Sequence, residues 1–222
     1  MARGDNIELV GERAPFVSRG GQKLAAALDA FAIDPAGLRC LDAGASTGGF
    51  TDCLLQRGAA HVVAVDVGYG QLHESLVGHP RVTNLERTNI RTLASDPIGG
   101  EVDLVVGDLS FISLTTVLPA LVGLAHTGAA LVLLVKPQFE AGRAEASKGK
   151  GIIRDRAIWR RVLEEVADAA DNAGAGLEGA TASPIRGGNG NVEFLIHLVV
   201  GAPRAPVDLD AVIRDIDALG GA

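Results

Sequence analysis

The chain has 222 residues, enough for one domain of ordinary to large size, and 47% of them are hydrophobic, ample for a single well-filled core. A net charge of −7 argues against a freestanding nucleic-acid binder, although local charge can overrule the sum. Cys40 and Cys53 offer no C-x-x-C pair, the five histidines are scattered with no ligand pair, and no apolar run reaches the about 18 residues of a membrane-spanning helix.

Residues 1–17 read as a tail or the stub of something larger, with Asn6-Ile7-Glu8-Leu9-Val10 alternating like a short strand that has no local partner. The opening Met1-Ala2-Arg3-Gly4-Asp5 lacks the apolar core of a signal peptide, and the two cysteines read as those of a disulfide-free cytoplasmic protein. A helix is expected over 20–32, with Leu24, Ala25, Leu28 and Phe31 on one face, ended by Pro35-Ala36-Gly37. Strands are then predicted at 38–43, 61–66, 81–86, 102–107, 129–135 and 192–200. Helices are predicted at 48–57, 70–77, 113–125, 155–173 and 208–219. Such alternation implies an α/β domain over 18–222, with a mostly parallel sheet and helices on both faces. The segment 138–154, with Arg143, Lys148, Lys150 and Arg154 among glycines, reads either as a mobile phosphate-binding loop or as an ordinary solvated one.

The densest signal is Leu41-Asp42-Ala43-Gly44-Ala45-Ser46-Thr47-Gly48-Gly49-Phe50, an apolar run that breaks into a glycine turn and then a helix pattern. Glycine permits the tight turn and lets a ligand approach the backbone, and the amides of the helix start face that ligand. The spacing is not the G-x-G-x-x-G of dinucleotide binders, and an acid just before the first glycine favours S-adenosylmethionine over NAD without excluding either.

In open α/β sheets ligands bind at the carboxyl ends of the strands. Those ends carry Asp42, Asp66 (able to accept both hydroxyls of a ribose), Thr88-Asn89 (able to read an adenine edge), Asp108 and Lys136, with Glu193 near the last strand. Plain structural duties stay open for each: a turn cap for Asp42 and Asp66, a turn former for Asn89, a strand position for Glu193. A lysine following five buried residues should be desolvated, which lowers its pKa and makes it a usable general base.

Six motifs in order resemble one family. They are Ser18-Arg19-Gly20-Gly21-Gln22-Lys23-Leu24, Asp42 to Phe50, Val65-Asp66-Val67-Gly68-Tyr69-Gly70-Gln71-Leu72, Asp108-Leu109-Ser110-Phe111-Ile112-Ser113, Val135-Lys136-Pro137-Gln138-Phe139-Glu140 and Gly190-Asn191-Val192-Glu193-Phe194. From about residue 16 to 200 the chain is similar to the TlyA (haemolysin A-type) family of FtsJ-like ribosomal RNA 2′-O-methyltransferases. The resemblance implies a Rossmann-like class I methyltransferase fold, S-adenosylmethionine as cofactor, and ribosomal RNA or ribosomal subunits (16S, 23S or both) as partner, with neither membrane nor metal. It implies a catalytic Lys-Asp-Lys-Glu tetrad on Lys23, Asp108, Lys136 and Glu193. It implies cofactor contacts from Asp42, Gly44, Ala45, Ser46, Thr47, Gly48, Gly49, Phe50, Asp66, Asn89 and Asp108. Tyr69, Phe111 and Phe139 are the expected stacking platforms for a flipped nucleotide. The family carries an N-terminal S4 RNA-binding domain whose tail Gly4–Val10 resembles, so that domain is expected to be missing here. Three alternatives stay open: a cofactor-binding domain inactive without its S4 domain, a small-molecule methyltransferase of the same fold, or a cytolysin, against which the acidic face of 208–219 argues.

Overall fold

The computed structural model describes residues 14–216, so the short strand expected at 6–10 and the end of the helix expected at 208–219 lie outside the described residues. Seven strands, β1 (Arg39–Ala43), β2 (His61–Val65), β3 (Val82–Leu85), β4 (Val102–Gly107), β5 (Ala125–Val135), β6 (Ala175–Ala182) and β7 (Phe194–Val200), form one sheet in the order β3-β2-β1-β4-β5-β7-β6. The first five run parallel, and β7 is antiparallel to both of its neighbours, β5 and β6. The helices are α1 (Gly20–Ala30), α2 (Gly49–Gln56), α3 (Ser95–Ile98), α4 (Leu114–Gly123), α5 (Pro137–Glu140), α6 (Arg143–Lys148), α7 (Arg156–Ala173) and α8 (Leu209–Arg214).

Successive strand residues point to opposite faces. Leu41, Val63, Val105 and Leu133 therefore pack beneath α4, α7 and α8, while Cys40, Val62, Leu104 and Val132 pack against α1 and α2. Both faces are covered, which is why these strands read as unbroken apolar runs. Helix α7 shows the chemistry that makes one such layer. Asp155 accepts from the Ala157 amide at its start, Gly174 closes it at φ 91°, and Trp159, Val162, Leu163, Val166 and Ala170 form the buried stripe. Cys40 and Cys53 are fully buried free thiols, pushed up to about 12 by desolvation, and act as packing groups.

Four expectations need correcting. No helix forms over 70–77. Gly70 and Gly78 adopt left-handed backbone, and the Leu72–Leu76 spacing serves a turn that drops both side chains into the core beside α2. β6 was missed because Ala175-Gly-Leu-Glu-Gly-Ala-Thr-Ala has low strand propensity; its pairing with β7 supplies what local preference does not. β5 begins at Ala125 rather than 129, running past Gly128 through a register shift against β4. The segment 138–154 is no plain loop. It contains α6, buries Ile153, and is fastened by Asn191, which accepts from the Ile153 amide at 3.1 Å and donates to Gly151 O at 2.8 Å.

The strand order places the site. β1 is flanked by β2 on one side and β4 on the other, so the connections diverge there and a crevice opens at the carboxyl edge. Asp66, Asp108 and Lys136 follow the last residues of β2, β4 and β5 at that edge. β7 runs the other way, so Glu193, immediately before it, begins at the same edge.

Candidate active site at the carboxyl edge of the sheet

The turn after β1 is a cradle that only small residues allow. Gly44 sits at φ +82°, and a Cβ there would lie 3.0 Å from both the Asp108 carbonyl and Leu109 Cδ2. Gly48 caps α2 at φ +93°, and a Cβ there would meet Leu76 at 2.3 Å. Asp66 braces the turn from the side: Oδ2 accepts from the Ser46 amide at 2.8 Å and Oδ1 from the Gly68 amide at 2.7 Å. Beneath it Asp42 is wholly buried. Thr51 Oγ1 donates to its Oδ2 at 2.7 Å, and its Oδ1 has no hydrogen-bond partner. Desolvation pushes the Asp42 carboxyl up to about 7 against the opposing Thr51 bonds, and the charges of Asp108 and Asp66 add to the rise.

Two lobes open from the cradle. One, of about 340 Å³, is lined by Asp66, Val67, Thr88, Ile90 and Leu109. The other, of about 300 Å³, is lined by Lys23, Lys136, Arg19 and Arg186 together with the cradle. Gly44, Ser46, Asp108 and Ser110 belong to both lobes. The first lobe joins apolar walls to an accepting carboxylate and a hydroxyl, a set that suits a nucleoside. The close approach at Gly44 and the carboxylates of Asp66 and Asp108 on the lobe walls fit a small cationic cofactor held at this turn.

The charged residues interlock where the lobes meet. Lys136 Nζ lies 2.5 Å from Asp108 Oδ1 as an ion pair, while its aligned hydrogen bond goes to Ser110 Oγ at 2.7 Å. Asp108 Oδ2 lies 3.8 Å from Lys23 Nζ, which donates to Glu193 Oε2 at 2.6 Å. Two ammonium and two carboxylate groups thus form one chain, Lys136–Asp108–Lys23–Glu193. Lys23 and Lys136 are each 8% exposed and Glu193 3%. Buried charges persist only when paired in this way. The loop before β7 closes around Glu193, since a Cβ on Gly187 would come within 2.0 Å of its Oε1.

Of the residues expected from sequence, Gly44, Ala45, Ser46, Thr47, Gly49, Phe50, Asp66 and Asp108 line the cleft. Gly48 and Asp42 stand beneath it, and Phe50 is largely core, with its ring 3.6 Å from where a Gly20 Cβ would be. Asn89 does not line the cleft. Its side chain accepts from the Arg91 amide and caps the turn Ile90–Thr92, and Thr88 and Ile90 face the lobe instead. Sequence reasoning missed Ser110, Arg19 and Arg186. A hydroxyl two positions after Asp108 was the available signal for Ser110, whereas nothing local marks an arginine as lining a cleft. Among the described residues no group of three or more His, Cys, Asp and Glu could hold a metal ion, and no helix is long and apolar enough to cross a membrane.

The family model described as FtsJ-like methyltransferase matches residues 16–199. The chain is 58% identical over 194 residues to a Mycobacterium tuberculosis protein named 16S/23S rRNA (cytidine-2′-O)-methyltransferase TlyA, covering 87% of this chain and 72% of that one. A crystal structure of a Lactococcus lactis protein titled a hemolysin superposes with a TM-score of 0.88 at 40% identity, over 92% of this chain and 100% of the other. An S-adenosylmethionine-dependent methyltransferase from Listeria monocytogenes shares the fold, with a TM-score of 0.60 at 14% identity over 82% of this chain and 99% of that one.

Proposed function

The chain belongs to the FtsJ-like methyltransferase family, and from that premise we propose that it methylates the 2′-oxygen of a ribose in ribosomal RNA, using S-adenosylmethionine. The observation that carries the proposal is the boundary between the lobes. Asp108 and Ser110 line both the nucleoside-shaped lobe and the lobe that holds Lys136 and Lys23.

When bound, the cofactor supplies an electrophilic methyl group on a sulfonium. In the chain itself, Asp66 accepts hydrogen bonds from the cofactor's ribose, with Thr88, Ile90 and Leu109 around its base. Gly44 to Gly49 give the methionine end access to backbone. A ribose hydroxyl is a poor nucleophile at neutral pH and must lose its proton as it attacks. Lys136 Nζ, having first released one proton to solvent, takes the hydroxyl proton as a neutral amine, while Asp108 and Ser110 fix the nitrogen. Lys23 and Glu193 position the hydroxyl and keep the cluster neutral. Holding the hydroxyl oxygen beside Lys136 and facing the glycine cradle would supply most of the rate. Ribosomal RNA as substrate puts the work in the cytoplasm, and the name of the mycobacterial relative points to a cytidine in the 16S or 23S molecule.

The test is methyl transfer from labelled S-adenosylmethionine to purified ribosomal subunits, followed by mass-spectrometric mapping of nucleosides. A 2′-O-methylated nucleoside that depends on Lys136 is the expected product. A label found on a base, or none on RNA, overturns the proposal.

A further inference from the structure

We propose that Arg186 grips a phosphate of the RNA chain beside the methyl-accepting ribose, acting as a positioning residue; this rests on the methyl-transfer function proposed above.

Arg186 lines the lobe that holds Lys23 and Lys136, and also the small cavity against Glu193, Pro184 and Val192. It is exposed, and among the described residues it has no carboxylate within ion-pair distance. The nearest acid of the cluster, Glu193, is taken by Lys23 at 2.6 Å. Several other arginines are spent within the protein. Arg57 pairs with Asp29, Arg160 with Glu164 and Asp210, and Arg204 with Asp168. In a chain of net charge −7, an unspent guanidinium at the mouth of the reactive lobe is a local reversal of sign. Arg19 lines the same lobe and is likewise exposed.

The segment that carries Arg186 is held in place. Ser183 Oγ donates to Ile185 O at 2.8 Å, the Gly187 amide donates to Asn191 O at 2.9 Å, and Asn191 Nδ2 donates to Gly188 O at 3.2 Å. Gly187 is packed directly on Glu193. The guanidinium is thus presented from a fixed base next to the group that positions the hydroxyl. A ribose whose 2′-oxygen faces Lys136 carries phosphates on its 3′ and 5′ sides, within an arginine's reach of this lobe. Arginine offers the bidentate fork that phosphate oxygens accept.

The experiment compares Arg186→Ala and Arg186→Lys with the parent, on ribosomal subunits as the probe. Arg186→Ala should raise KM for subunits about tenfold, within the range of a charge-assisted hydrogen bond, while kcat and S-adenosylmethionine affinity stay within about twofold. The slope of log binding constant against log salt should fall by about 0.7–0.9, one phosphate contact. Arg186→Lys should restore that slope and only part of the affinity. An unchanged KM and slope overturns the proposal. So does a fall in kcat with KM unmoved, which makes Arg186 a brace for the Glu193 loop. Binding slopes are read without turnover. A parent that binds subunits but transfers no methyl group sinks the function proposed above and leaves the Arg186 contact to be judged on its own.

Discussion

Lys23 Nζ and Glu193 Oε2 meet at 2.6 Å although 170 residues separate them in the chain. Both are almost fully buried, so neither can lose its partner cheaply. Glu193→Ala or Lys23→Ala should each lower stability by about 3–5 kcal/mol, because each leaves an uncompensated buried charge. The double variant Lys23→Met with Glu193→Leu should recover most of that loss in urea titrations while remaining inactive. If both single variants unfold at the parental urea midpoint, the pair is not buried as described.

Lys136 makes the clearest separation of chemistry from binding. Lys136→Ala should lower kcat by roughly 10²–10⁴-fold, the span of general acid–base catalysis. Calorimetry should show cofactor affinity within about threefold of the parent, since Asp66 and the glycine turn are untouched. Ser110→Ala removes one bond to the same nitrogen and should cost about tenfold in kcat.

Asp66 was expected at the cofactor's ribose and Asn89 at its adenine edge, and their geometry separates them. Asp66 lines the nucleoside-shaped lobe, whereas the Asn89 side chain caps a turn. Asp66→Ala should weaken S-adenosylmethionine binding by about 10–100-fold, as loss of charge-assisted bonds does. Asn89→Ala should shift it by less than about threefold and appear instead as a loss of up to about 1 kcal/mol in thermal stability. Equal effects on affinity would put Asn89 back in the cleft.

Asp42 carries a pH dependence whose sign is fixed by burial. Its folded pKa, about 7, lies above the ordinary 3.8. Between those values the folded chain holds a proton that the unfolded chain has released. Its contribution to stability is therefore full below about pH 4 and is lost as pH rises through 7. The cofactor-free protein should lose on the order of 2 kcal/mol between pH 5 and pH 8 in denaturant titrations. Asp42→Asn should flatten that profile and be the more stable protein at pH 8.

Much of this was legible in the sequence because the informative residues lie where period and punctuation are strongest. Val62–Val65 and Leu131–Val135 are buried on both faces and could be little else. Gly44 and Gly48 occupy left-handed backbone in the turn where the glycine pattern demanded them. The four charged residues were found by motif; that they touch depends on a strand order no local pattern encodes. β6 was invisible because its small residues are strand only through β7. The turn at 70–77 mimicked a helix because Leu72 and Leu76, four apart, both face inward. Arg186 escaped because a side chain's neighbours across a cleft leave no trace in its own segment, whereas Ser110 stood two positions after Asp108 and was passed over.

The reversed direction of β7 has a consequence for how this protein is made. Glu193 reaches the shared edge only after β7 has inserted between β5 and β6, among the last pieces of the sheet to leave a ribosome. A nascent chain that already displays Lys23, Asp108 and Lys136 still lacks its fourth charge. The fourth charge of the cluster therefore depends on β7 being paired in place.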